Sequence, residues 1–447
     1  MSANAAATAD LRAAFIRASV WHGSLAEAEA LLAGHPGLAG RDIHTAAILG
    51  DERRVRQFVA MDPACVRSTS EPFGAEPLVH LCLSKYLRLD TTRSAGFIQA
   101  ATALLDAGAN PNSGFWTTGP HPEFETALYG AAGVAHHAGL TRLLLEHGAD
   151  PNDGEVAYHS PETDDNETLR VLIDSGRLSE DSLATMLLRK SDWHDYDGVK
   201  LLLEHGADPN RMTPWHRTAL HQAIRRDNAL AIVKLLLDHG ADPRLRGGSN
   251  DGSSASAVAI ATKRGRGDVL ELLETRTGSL ALQGLDALLA ACATGNTPEV
   301  NLIAAHEPLV VAELLAEGGD RLAEFAANGN TRGVTCLLDL GVDVNAIYAQ
   351  GDAYFGIAKN STALHAAAWL ARHETVILLI ARGADVNFHD ADGRTPLMLA
   401  VRACVDSYWT GRRTAESVRA LLAAGASKEG VMYPSGYADV DALLAPT

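Results

Sequence analysis

LLLEHGADPN, spanning Leu201–Asn210, decides the fold. Three consecutive leucines give a helix an apolar side, and the glycine stands where a helix that must stop takes a left-handed residue. The same ten letters recur at Leu143–Asn152. Altered copies end at Asn112 (LLDAGANPN), Pro243 (LLLDHGADP), Asn345 (LLDLGVDVN), Asn387 (LIARGADVN) and, most weakly, Glu429 (LLAAGASKE). Gly206 and Gly240 lie 34 residues apart, and the 101 residues from Gly240 to Gly341 leave room for two weaker copies. Self-similarity at such a period is the mark of a repeat architecture.

A second phrase precedes the first at a fixed distance. It reads Thr218-Ala-Leu-His221, Thr362-Ala-Leu-His365 and Thr395-Pro-Leu-Met398, with Thr126-Ala-Leu-Tyr129 as a variant. Threonine suits a helix N-cap, and proline is tolerated at the first helical position, where its missing N–H costs nothing. The two phrases together resemble the ankyrin repeat: TPLHxA, a helix, a turn, a second helix with paired leucines, then GADxN. The resemblance covers nearly the whole chain. It implies an all-α solenoid of about twelve helix–turn–helix repeats with β-hairpin-like fingers, each repeat touching only its neighbours.

On that reading residues 1–447 form a single continuous array. Residues 1–67 hold degenerate N-terminal repeats, 68–250 the best-matching repeats with an insertion at 113–124, and 251–345 degenerate ones. Residues 346–430 hold C-terminal repeats with insertions, and 431–447 a closing cap. Insertions also stand at Lys85–Ala95, Gln350–Asn360 and Val405–Arg413, and such loops usually lie on one face, often the binding face. His147, His205 and His239, just before closing glycines, and His221 and His365 in the TPLH slot read as structural.

Composition bounds the partners. A net charge of −17 argues against nucleic acid and anionic membranes. Five scattered cysteines without a CxxC pair fit a reducing compartment. The N-terminus lacks a secretory pattern, and no uncharged apolar run reaches membrane-spanning length, so a cytoplasmic location is expected.

Two kinds of position in each repeat escape packing duty in this family, the slot at the inter-helix turn and the finger before TPLH, and both line its concave groove. Trp193 and Trp369 fall in slots, Trp215 in a finger and Trp116 in an insertion. Tryptophan at an exposed groove acts as a binding anchor. Acidic slots at Glu162 and Asp192 are followed by Arg225, Arg226 and Arg264, a change of sign that suits carboxylate or phosphate groups. Tyr158 and Arg217 complete the expected binding set. The plainer reading of the charges is a solvated helix face.

His121, His159, Asp192, His194 and His216 are the candidates for acid–base chemistry, since histidine beside carboxylate is what such chemistry requires. No HExxH, GxSxG or P-loop spacing accompanies them, no metal ligands are assigned and no cofactor is expected. The loop Gly247–Ser253 reads as a flexible finger with no strand before it. The leading expectation is therefore an interaction protein that binds a protein or peptide partner in its groove through Trp and Arg. The alternative is an enzyme or a binder of a small molecule, an anionic one included, with an acid–base or metal-binding His/Asp/Trp/Arg pocket within residues 113–226.

Overall fold

The computed structural model describes residues 3–248, 254–407 and 409–445. Short helices joined by tight turns dominate it. Six of the leucine phrases form the second helix of a pair, at Ala138–Glu146, Tyr196–Glu204, Leu230–Asp238, Thr331–Asp339, His373–Ala381 and Glu416–Ala423. Each pairs with a first helix such as Glu180–Asp192 or Ala363–Trp369. These helices are too short to be stable alone, so burial of one face must hold them. Leu144, Leu202, Leu236, Leu337, Leu379 and Leu421 are fully buried, one from each pair.

The closing glycines are left-handed, with Gly148 at φ 94° and Gly206 at φ 90°. The asparagine that ends the phrase then clips one repeat to the next. Asn112 accepts from the Asp150 N–H (2.8 Å) and donates to the Gly148 carbonyl (3.1 Å). Asn387 repeats this with Ser427 N–H (2.8 Å) and Gly425 O (3.3 Å). The histidines before the glycines cap their own helices through Nδ1: His147 to Leu143 O (2.9 Å) and His205 to Leu201 O (2.8 Å). His365 accepts the Thr362 N–H at Nδ1 (3.1 Å), which leaves its Nε2 to donate to the carbonyls of Phe388 and Arg394.

Three antiparallel hairpins interrupt the helices among the described residues: Gly114–Trp116 with Phe124–Thr126, Arg246–Gly248 with Ser254–Ser256, and Ile347–Tyr348 with Ser361–Thr362. The second corrects the expectation for Gly247–Ser253. A strand does lead into that loop, because Gly247 and Gly248 belong to it; residues 249–253 lie outside the described residues.

Backbone contacts group the chain into two compact units, Met1–Ala223 with Leu235–Ala241, and Ile224–Lys234 with Asp242–Thr447. Among the described residues no helix is long and apolar enough to cross a membrane.

Candidate functional site

In the first unit one helix changes its geometry partway along. Ala127–Tyr129 begins as an α-helix and continues through Gly130–Val134 as a π turn. A Cβ on Gly133 would lie 2.9 Å from both the His159 Cβ and the Tyr129 ring, so glycine is what lets these side chains approach. The Tyr129 and His159 rings are 5.4 Å apart. Burial raises the Tyr129 phenol to about 12, and its oxygen accepts the Trp21 indole N–H at 3.4 Å.

His159 stands between two carboxylates, Glu155 at 3.3 Å from Nε2 and Glu162 at 3.0 Å from Nδ1. Burial disfavours its charge, but the paired carboxylates outweigh that and hold its pKa up at about 9. Glu162 also pairs with Arg189, whose other arm meets Asp192 at 2.5 Å. Asp192 in turn accepts from the Gln222 amide at 2.6 Å. A continuous polar chain therefore runs Glu155–His159–Glu162–Arg189–Asp192–Gln222 across three successive repeats. Beside it Lys190 is fully buried, with Nζ 2.7 Å from Asp195 and 2.6 Å from Thr163 O.

Aromatic rings lie over this bed. The Arg189 guanidinium sits 4.0 Å from the centre of the Tyr158 ring, and Tyr158 packs 5.4 Å from Trp215. Trp193 and Trp215 are 40% and 43% exposed, large values for tryptophans held on ordered turns. Trp116, 65% exposed, packs on Phe124 across the first hairpin (5.2 Å).

The expected residues thus divide. Tyr158, His159, Glu162, Asp192 and Trp215 come together, with Trp193 adjoining Asp192. His194 adopts φ 53° at the inter-helix turn and is half-buried. His121 lies at the exposed hairpin tip and His216 in an exposed turn with φ 53°, both outside the polar chain. Arg217 is buried, its carbonyl bound by the Thr213 N–H and hydroxyl at 3.0 Å. Arg189, Lys190 and Gln222 escaped sequence reading because they sit inside or beside helix runs that carry no exposed-slot signature.

Arg225, Arg226, Arg264 and Trp369 belong to the second unit, and two of them depart from expectation. Arg264 does not line an open groove. It is buried, chelated by Asp227 (2.9 and 2.8 Å) and 3.5 Å from Asp352; burial opposes its charge, but the Asp227 pair outweighs that and raises its pKa. Trp369 is only 6% exposed, with its indole N–H bound to Phe355 O, because the insertion at 350–360 folds over it. The Arg226 guanidinium lies 3.2 Å from the centre of the Tyr354 ring. Arg225 is half-buried.

A cavity of about 630 Å³ opens beside the first hairpin, lined by residues that include Trp116, Glu123, Phe124, Asp153 and Glu155. Asp192, His194 and His216 do not line it. Glu125, directly beneath, is 1% exposed. Burial, aided by Glu155, Glu123 and Asp153, pushes its carboxyl up to about 7.

A family model described as ankyrin repeats (3 copies) matches residues 186–279 and 347–430. No curated protein matches the chain. Among solved structures, the human ASB11 ankyrin repeat domain is similar at 24% identity, over 49% of this chain and 90% of that one. The TM-score of that match is 0.37.

Proposed function

Taking as premise that this chain is an ankyrin-repeat protein, whose repeats mark a protein-interaction domain, we propose that its first unit binds a protein or peptide through Tyr158, Trp193 and Trp215. The observation that carries this reading is the exposure of two tryptophans above a side-chain bed that is already paired. The paired bed holds Tyr158, and Tyr158 packs on Trp215, so these two rings have little side-chain freedom left to lose on binding. Aromatic anchors on such a surface supply most of an interface's energy.

The surroundings define the partner's chemistry. Asp164, Asp165 and Asp197 are exposed near these rings in the chain, and the protein is acidic overall. The partner therefore presents an apolar or aromatic anchor flanked by Lys or Arg. A general-base role for His159 fits less well, because an imidazolium held between two carboxylates keeps its proton through neutral pH.

The test is photo-crosslinking with a benzophenone amino acid placed at Tyr196, beside the tryptophans, and at Glu204 as an exposed control. A partner trapped from position 196, not from 204, and lost when Trp193 and Trp215 are both alanine, is the expected result. Equal trapping from both positions, or trapping indifferent to the tryptophans, would refute it.

A further inference from the structure

Three carboxylates converge beneath the first hairpin, and of these only Glu155 also belongs to the polar chain under the aromatic rings. Glu123 and Glu125 are two apart in an extended segment, so their side chains share one face of it. Glu125 faces Phe115 across the hairpin. Glu155 comes from the first turn of the next repeat's helix, Gly154–His159. One oxygen from each carboxylate lies within 4.8 Å of the other two.

Glu125 separates this group from an ordinary acidic surface. Its side chain is almost wholly buried, and its Oε2 has no hydrogen-bond partner. A buried acceptor left without a donor is costly, the more so if ionised, and native folds leave few of them. Of the three acids, Glu155 meets His159 at 3.3 Å. Among the described residues neither Glu123 nor Glu125 forms a salt bridge. Like charges this close repel, and a positive charge at their centre would attract each of them and offset that repulsion.

We propose that Glu123, Glu125 and Glu155 bind a hard divalent cation of the calcium class. The donors are all carboxylate oxygens, which excludes preference for soft, thiolate-seeking ions. Calcium takes oxygens at about 2.3–2.6 Å, so oxygens on one ion stand at most about 5 Å apart, and the three carboxylates lie within that reach of one another. The adjoining cavity admits the ion and the waters that complete its coordination. Bound there, the cation ties the hairpin to the following repeat, so binding and local stability are linked.

The test uses the full chain with terbium as the probe, because Trp116 lines the same cavity and can sensitise its emission. The expected result is saturable emission on tryptophan excitation, displaced by calcium. Affinity should fall roughly tenfold or more in Glu125→Gln and in Glu123→Gln, the second at an exposed position outside the packed core. Trp116→Phe should remove the emission yet leave calcium binding by calorimetry intact. Calcium should raise the melting temperature of the native chain and not of Glu125→Gln. Absence of saturable binding to the native chain would overturn the proposal. So would unchanged affinity in a Glu123→Gln/Glu125→Gln/Glu155→Gln chain.

Discussion

His44 and His80 meet through their Nδ1 atoms at 3.1 Å inside the N-terminal part of the first unit. The protons can be assigned along the chain of contacts. The Ser68 hydroxyl donates to Cys65 O (2.6 Å), so it must accept from His44 Nε2 (3.1 Å). His44 Nδ1 then carries a lone pair and accepts from His80, whose bare Nε2 is buried without a partner. Burial lowers both imidazoles, His44 to about 4, with Arg12 lowering it further and Asp42 opposing. The folded value lies below the ordinary 6.5, so the unfolded chain binds more protons as pH falls. This contribution to stability is complete above about pH 6.5 and is lost progressively toward about pH 4. Imidazole NMR should show the His44 ring neutral until near pH 4; a midpoint near 6.5 would contradict the pairing. Arg264 gives a second prediction at this scale. Its removal strands Asp227, itself buried, so Arg264→Ala should cost about 3–5 kcal/mol by chemical denaturation. A loss under 1 kcal/mol, roughly that of a surface pair, would show the chelate to be idle. Sequence placed Arg264 in a slot and could not show that Asp227, 37 residues away, already occupies it.

At the scale of the element, each leucine helix is held by what it buries and by the clip that follows it. Leu202 is fully buried, so Leu202→Ala should destabilise by about 2–5 kcal/mol. Exposed Glu204→Gln should change little, and equal losses from the two would mean the helix faces the other way. Asn112→Ala breaks two bonds to the next repeat and should cost about 1–2 kcal/mol, read from the shift in denaturation midpoint. The helix phrases, the caps and the closing glycines were legible because each is a local requirement written into adjacent residues. The π turn at Gly130–Val134 was not, since Gly133 answers to His159, on the next repeat. Trp369 misled for a similar reason: a slot tryptophan looks exposed until the insertion that covers it is placed. The polar chain was half visible, as His159, Glu162 and Asp192 stood out while Arg189, which joins them, lay unmarked within a helix.

At the scale of the molecule, interactions in a repeat array are mostly between neighbours, so stability need not be shared evenly along it. With two compact units, calorimetry should resolve more than one unfolding step, or a calorimetric enthalpy exceeding the van't Hoff value. Equal enthalpies with coincident fluorescence and circular dichroism transitions would contradict this. Function depends on a separation between what holds the stack and what faces outward. The most direct measurement of that separation compares the native chain with Trp193→Ala/Trp215→Ala, recording both melting temperature and affinity for the partner crosslinked at position 196. The melting temperature should stay nearly unchanged, while each tryptophan lost weakens binding by roughly 1–4 kcal/mol. A lowered melting temperature with unchanged affinity would make both tryptophans packing residues and contradict the binding surface.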